Sequence, residues 1–118
     1  MICVLVVDDD LRLREMAARL LAHAGYAAVI AGSAAEALAV VPTRPEINVA
    51  LIDVVLPDMS GLDLASRLRQ LAPGLRVAFM SGFTGDHFDR PVDEPCVLKP
   101  FTIEELMKGI KDALDRSS

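Results

Sequence analysis

The chain has 118 residues, of which 53% are hydrophobic and 25% are charged, and this balance predicts a single folded domain over residues 1–118 rather than a disordered chain. The net charge of −5 argues against a nucleic-acid partner, because a binder neutralises phosphates with clustered Lys and Arg, and the twelve basic residues here are scattered. The two cysteines, Cys3 and Cys96, belong to no CxxC or Cys/His cluster, which argues against a disulfide framework and a zinc site.

The first predicted strand is the apolar run of residues 2–7, which ends abruptly at Asp8-Asp9-Asp10. This run has no basic flank and meets acidic residues at once, so we expect neither a signal peptide nor a membrane span. A soluble, cytoplasmic protein without a membrane partner is the resulting expectation. Apolar residues at helical spacing then predict a helix over residues 10–24, which Gly25 ends.

A second short strand is predicted at Ala27–Ala31, and Ser33-Ala34-Ala35-Glu36 after it matches the capping box that opens a helix. That alanine-rich helix is expected to end near Pro42. Residues 47–52 form a third apolar run, broken only by Asn48. Because this run lacks the alternation of a half-buried strand, we predict a strand that is covered on both faces.

Asp53 ends this third strand and is the candidate reactive residue. A carboxylate is out of place inside an apolar strand, but at the C-terminal end of a parallel strand it lies where open α/β folds bind their ligands. On this stretch alone, Asp53 could equally begin the turn that Pro57, Asp58, Ser60 and Gly61 continue.

The chain then repeats the alternation of helix and strand. Helical spacing predicts a helix at Gly61–Leu71, and the apolar residues 77–80 predict a fourth strand with Ser81 at its C-terminal end. Residues 82–95 show little periodicity, so at most one short or irregular helix, around residues 86–90, is predicted there.

A brief fifth strand is predicted at Cys96–Leu98, directly before Lys99-Pro100. Thr102-Ile103-Glu104-Glu105 is a second capping box, and the helix that it opens is predicted to continue to the last residues of the chain.

Strands that alternate with helices indicate a doubly wound five-stranded parallel sheet with right-handed crossovers. All five strands then end at the same edge of the sheet. Residues that are far apart in sequence converge there, namely Asp8, Asp9, Asp53, Ser81 and Lys99. This convergence favours a functional site over the turn interpretation of Asp53.

Three carboxylates in a partly desolvated cleft repel one another, so the predicted cluster requires a cation. Oxygen ligands and a shallow, open site suit Mg²⁺, which keeps several of its waters. With Mg²⁺ and Lys99 balancing the carboxylates, the site could accept a phosphoryl group, and Asp53 would form an aspartyl phosphate.

The chain resembles the response-regulator receiver domains of two-component signalling over essentially its whole length. Asp8-Asp9-Asp10 after Val7 resembles the acidic pair of that family, and Asp53 followed by Pro57 and Gly61 resembles its phosphoacceptor loop. Ser81 matches the hydroxyl position of the family. Lys99-Pro100-Phe101 matches its Lys-Pro motif, which implies a cis peptide bond before the proline.

The resemblance implies a flavodoxin-like fold with strand order 2-1-3-4-5. It also implies that Asp53 takes a phosphoryl group from a histidine kinase or a histidine phosphotransfer protein. Asp9 and Asp53 would bind Mg²⁺ directly, Asp8 mainly through water, and Val55 through its backbone carbonyl. Lys99 would pair with the phosphoryl oxygens.

The implied signal is a movement of Ser81 toward the phosphoryl group. Such a protein is a phosphoacceptor rather than an enzyme, although it hydrolyses its own aspartyl phosphate slowly. The residues Met80-Ser81-Gly82-Phe83 also resemble receivers attached to hybrid histidine kinases, so a relay or a phosphate sink stands beside an output regulator with an unknown downstream protein.

Two positions depart from the family. Residues 82–95 are about one helical turn shorter than expected, and Cys96 replaces an aromatic switch residue of the fifth strand.

Two other functions stay open. A metal-dependent phosphatase with an aspartyl intermediate would share the acid, hydroxyl and lysine chemistry. A flavodoxin-like module for a nucleotide or flavin would need a glycine-rich or hydroxyl-rich phosphate loop, where this chain has Asp8-Asp9-Asp10.

Overall fold

In the computed structural model of the chain, which describes residues 1–82 and 94–116, five parallel strands form one sheet in the order β2-β1-β3-β4-β5. The elements in chain order are β1 Cys3–Val7, α1 Leu11–His23, β2 Ala27–Ala31, α2 Ala34–Val40, a 3-10 turn at Val41–Thr43, β3 Ile47–Asp53, α3 Gly61–Leu71, β4 Arg76–Ser81, β5 Cys96–Leu98 and α4 Ile103–Asp115. The predicted flavodoxin-like fold and strand order are therefore confirmed. Among the described residues, no helix is long and apolar enough to cross a membrane.

The three central strands of the sheet, β1, β3 and β4, are mostly buried on both faces, as the continuous apolar runs predict. Every residue of β1 is buried, and β1 pairs with both β2 and β3. Alternate residues of the strands point to opposite faces, so each strand contributes to two cores. Leu5, Val7, Ile52 and Phe79 belong to the core that includes residues of α2 and α3, and Val4, Val6, Leu51 and Met80 belong to the core that includes residues of α1 and α4.

The helix ends follow the predicted signals with one correction. Asp10 caps α1, and Gly25 after it has a φ of +91°, a conformation that glycine adopts without strain. The capping box of Thr102 and Glu105 is complete. The predicted box of Ser33 and Glu36 is only half formed, because the carboxylate of Glu36 accepts from the amide of Gly32 instead of that of Ser33.

Two strands reach further than their apolar runs. β3 includes Asp53 and β4 includes Ser81, because the ladder continues through the Asp53–Met80 and Ser81–Leu98 pairs. Ser81 is therefore the last residue of β4, at the C-terminal end of the strand as predicted. The short helix predicted around residues 86–90 and most of the shortened 82–95 segment lie outside the described residues.

Candidate functional site

The ends of β1 and β3 bring three carboxylates together. Asp8 and Asp9 follow β1, and Asp53 ends the neighbouring strand β3. One carboxylate oxygen from each of these residues lies within 4.8 Å of the other two. Asp8 and Asp53 are buried and Asp9 is exposed, so the cluster is open to solvent on the side of Asp9.

Lys99 joins two of these acids although β5 is separated from β3 by β4. Its Nζ lies 2.5 Å from Oδ2 of Asp8 and 2.8 Å from Oδ2 of Asp53. The backbone amide of Lys99 donates to the carbonyl of Ser81 at 2.8 Å, and the Lys99–Pro100 peptide bond is cis, as the resemblance implies. The long lysine side chain thus reaches across the strand ends into the acidic cluster.

Backbone amides hold the second oxygen of each buried acid. Oδ1 of Asp8 accepts from the amide of Asp10 at 2.8 Å, and Oδ1 of Asp53 accepts from the amide of Val55 at 3.0 Å. Each carboxylate is therefore oriented by an amide two residues further on and by Lys99. Among the described residues, no buried side-chain nitrogen or oxygen lacks a hydrogen-bond partner.

Burial and pairing shift the pKa values of two of these groups. Burial raises the pKa of Asp8 despite its hydrogen bond to Lys99, because the charged carboxylate is fully removed from solvent. Burial alone would lower the pKa of Lys99, but hydrogen bonds to Asp53 and Asp8 outweigh it and raise the pKa above 10.5. The carboxylates thus stabilise the charged form of Lys99, whereas burial still disfavours the charged form of Asp8.

The donor set fits Mg²⁺. Carboxylate oxygens are hard ligands of the kind that Mg²⁺ prefers, and one oxygen from each of the three acids lies within 4.8 Å of the other two. The exposed side of Asp9 leaves room for the waters that Mg²⁺ retains. Val55 lies two residues after Asp53 and is exposed, and the role of its carbonyl stays a prediction.

Ser81 stands at the same edge, at the end of the strand between β3 and β5. The residue is buried, and its hydroxyl makes a long contact of 3.5 Å with the carbonyl of Gly82. The sheet thus brings Ser81 to the strand edge that carries Asp53 and Lys99, and its proposed movement stays a prediction.

Gly61 permits the close approach of α3 to the end of β3. A Cβ atom at this position would lie 2.2 Å from the carbonyl oxygen of Asp53 and 2.8 Å from Cα of Val54. The amide of Gly61 also donates to the carbonyl of Val54 at 2.8 Å. Both clashes are with backbone, which cannot rotate away, so any side chain here must displace the segment that carries Asp53.

We therefore expect Gly61→Ala to lower the free energy of unfolding by about 3 kcal/mol, the upper part of the range for overpacking in a tight site. Urea denaturation measures the loss. Gly74→Ala is the matched control, because a Cβ at Gly74 meets no atom within 4 Å. An equal effect of the two substitutions would show that space at Gly61 is not the constraint.

The chain matches a known protein family over most of its length. The family described as response regulator receiver domain matches residues 4–111, which include the acidic cluster and Lys99. The chain is a response regulator receiver domain. The expectation drawn from the Asp8-Asp9, Asp53, Ser81 and Lys99-Pro100 motifs is thus confirmed at the level of the family.

Related proteins place such receiver domains in different settings. The probable transcriptional regulatory protein TcrX of Mycobacterium tuberculosis is 36% identical over 98% of the chain, which spans 51% of that protein. The sensor kinase CckA of Brucella abortus is 33% identical over 96% of the chain, which spans only 12% of it. The response regulator receiver protein CpdR of Brucella abortus is 30% identical, with 94% of the chain matching 95% of CpdR.

Solved structures give the same result for the fold. A CheY-like response regulator receiver domain protein from Methanospirillum hungatei JF-1 superposes with a TM-score of 0.83 at 30% identity. The match covers 98% of the chain and 94% of that protein. The match therefore extends over nearly the whole length of both proteins.

Two polar residues support the receiver site without having been predicted to do so. Nη1 of Arg14, on α1, donates to the carbonyl of Asp8 at 2.7 Å. Asp58 accepts from the amides of Ala34 and Ala35 at 3.0 and 2.9 Å, which holds its pKa below the ordinary range and ties the loop after Asp53 to the start of α2. Arg14 could have been suspected from its place one and a half turns after the acidic pair, whereas Asp58 resembles an ordinary turn residue.

Proposed function

We propose that this receiver domain accepts a phosphoryl group on Asp53 from a phosphohistidine and transmits the change in charge to a partner. The observation that carries the proposal is the position of the Asp53 carboxylate, 2.8 Å from the ammonium of Lys99 and next to two further carboxylates. A lone buried aspartate would be costly, whereas this arrangement places a nucleophile beside a cation that can receive the incoming charge.

The proposed transfer is a displacement at phosphorus. A carboxylate oxygen of Asp53 forms the new P–O bond, the P–N bond of the phosphohistidine breaks, and the imidazole nitrogen keeps the electron pair. Lys99 then exchanges its contact with Asp53 for one with a phosphoryl oxygen. The amide of Val55 holds the other carboxylate oxygen at 3.0 Å and orients the nucleophile.

Asp8, Asp9, Asp53 and the carbonyl of Val55 would hold Mg²⁺, with Asp8 acting mainly through water. The ion would neutralise the carboxylates and share the charge of the phosphoryl oxygens. The three carboxylates fit this role because their oxygens are hard donors and lie within 4.8 Å of one another.

The phosphoryl donor is a histidine kinase or a histidine phosphotransfer protein. The occurrence of related receivers in the sensor kinase CckA and in the small protein CpdR supports a place in a kinase system. These relatives are compatible with both proposed roles. The chain spans about half of TcrX, a probable transcriptional regulatory protein, which is compatible with an output regulator. It spans nearly all of CpdR, which is compatible with a receiver that acts alone as a relay or phosphate sink. We expect the domain to work in the cytoplasm, where ATP sustains histidine phosphorylation.

The function is tested by incubating the protein with acetyl phosphate and following its intact mass. We expect a gain of one phosphoryl group with Mg²⁺ and none after the metal is chelated. Asp9→Ala should also stop labelling, while its unfolding midpoint in the absence of metal stays equal to the wild type or rises, since like-charge repulsion is relieved.

Asp115→Ala is the control for loss of an exposed carboxylate, because Asp115 lies at the end of α4 and outside the cluster. This variant should take up a phosphoryl group to the same extent as the wild type. Metal-independent labelling, or strong destabilisation by Asp9→Ala without metal, would contradict the proposed metal site. Steady turnover of a small phosphate ester would favour a phosphatase instead of a phosphoacceptor.

A further inference from the structure

A second concave site lies at the opposite edge of the sheet from Asp53. It is a cavity of about 340 Å³ beside Arg76, the first residue of the strand that ends at Ser81. The buried side chains of Leu75, Val77 and Ala113 contribute apolar surface, and Arg69, Arg76, Glu94 and Arg116 supply charged groups. An apolar surface with a few convergent polar groups is typical of a ligand site.

The cavity is positively charged although the chain carries a net charge of −5. Its three arginines come from α3, from the start of β4 and from the C-terminal cap of α4. Glu94 pairs with Arg69 at 3.0 and 3.1 Å. Within residues 1–82 and 94–116, neither Arg76 nor Arg116 forms an ion pair with a carboxylate.

The position of one of these arginines is fixed by the fold. Nη1 of Arg76 donates to the carbonyl of Arg116 and so ties the start of β4 to the end of α4. The side chain of Arg116 itself is exposed beside this contact. Arg76 and Arg116, which belong to separate elements, thus line the same small cavity, and a guanidinium matches the geometry of a carboxylate.

A larger groove, lined mostly by residues with apolar side chains, adjoins the cavity. It has a volume of about 510 Å³ and shares Leu75 and Arg76 with the cavity. Its other lining residues include Pro42, Pro45, Ile47, Leu71, Pro73 and Leu114. Leu71 is 53% exposed, so apolar surface of this groove is open to solvent.

We propose that this combined site binds an acidic segment of a partner protein, in which a carboxylate side chain reaches the arginines and a neighbouring apolar side chain fills the groove. Charge complementarity favours the carboxylate, and the proline-rich apolar wall favours an aliphatic neighbour. A nucleic acid fits poorly, because the net charge of the chain is −5 and, among the described residues, the groove is lined by no cation other than Arg76 that could contact successive phosphates.

The probe is a blocked peptide of alternating leucine and glutamate, titrated into the uniformly ¹⁵N-labelled full chain and followed by NMR. We expect saturable shifts of the amides of Leu75, Val77 and Ala113. Arg116→Gln should weaken the affinity roughly tenfold, the effect of losing one charge-assisted contact. Because Arg116 is exposed and donates no described side-chain hydrogen bond, its substitution should preserve the fold.

Arg19→Gln is the matched control, since it removes one exposed arginine on α1 with the same change in net charge. Its affinity for the peptide should equal that of the wild type. A peptide with lysine in place of glutamate should not bind. Absence of saturable shifts, equal weakening by the two substitutions, or equal binding of inorganic phosphate or an oligonucleotide would overturn the proposal.

This site is independent of the proposed phosphoacceptor. The Arg116→Gln protein should therefore take up a phosphoryl group on Asp53 to the same extent as the wild type. If the protein binds the peptide but takes up no phosphoryl group, only the proposed function is contradicted. If it takes up a phosphoryl group but does not bind the peptide, only the docking site is contradicted.

Discussion

The Asp53→Asn protein is expected to take up no phosphoryl group from acetyl phosphate under conditions that fully label the wild type. The amide has the shape of the carboxylate but is not nucleophilic, so uptake should fall by at least about 10³-fold. The substitution also removes the charge that Lys99 contacts at 2.8 Å, while the neighbouring carboxylates Asp8 and Asp9 stay in place. Intact mass measured over time gives the rate.

Asp63→Asn is the matched control for this substitution. Asp63 is exposed in the first turn of α3 and lies outside the acidic cluster, so its loss should leave labelling unchanged. Equal labelling of Asp53→Asn and the wild type would mean that another residue is the nucleophile.

The second large effect concerns Lys99, the cation that two buried carboxylates share. Without metal, Lys99→Met should lower the free energy of unfolding at neutral pH by about 2 kcal/mol. This is less than the cost of breaking a fully buried pair, because the side chain of Lys99 is 20% exposed. The remaining carboxylates then face each other without compensation. Mg²⁺ should restore part of the loss, because it binds only the folded state.

The pH dependence of this effect follows from the direction of the pKa shift. The pKa of Lys99 is raised above 10.5 in the folded protein, so its contribution is complete below that pH and is lost as the pH rises through the raised value. The difference in unfolding free energy between the wild type and Lys99→Met should be constant near neutral pH and shrink in alkaline solution. Urea denaturation over this range measures it.

Lys108→Met is the control, because Lys108 forms an exposed pair with Asp112 on α4. It should change the unfolding free energy by less than about 0.5 kcal/mol at neutral pH. Two results would contradict the interpretation that Asp8 and Asp53 share the Lys99 cation. In the first, the loss of unfolding free energy in Lys99→Met grows in alkaline solution. In the second, this loss equals the loss in Lys108→Met.

Much of this architecture could be predicted from the sequence, because parallel strands impose simple rules. The apolar runs at β1 and β3 have no alternation, which is the pattern of strands that are covered on both faces. Once strands alternate with helices, their C-terminal ends must share one edge. The approach of Asp8, Asp53 and Lys99 follows from that rule although Asp8 and Lys99 are 91 positions apart.

Contacts that depend on how separate elements pack could not be predicted. The choice of Glu36 between the amides of Ser33 and Gly32 depends on the local path of the chain before α2. The bonds from Asp58 to the start of α2 depend on where the loop after Asp53 comes to lie. The arginine cavity combines residues of three elements whose positively charged side chains look like ordinary surface in the sequence.

The most direct test of the phosphoacceptor account is to locate the phosphoryl group after transfer from a phosphorylated histidine kinase or phosphotransfer protein. Borohydride reduces an acyl phosphate and marks the modified residue, which peptide mass spectrometry then identifies. The account predicts a single mark at Asp53 that requires Mg²⁺ during transfer. A mark at Asp8 or Asp9, or a stable label on a serine or histidine in place of the mark at Asp53, would contradict it.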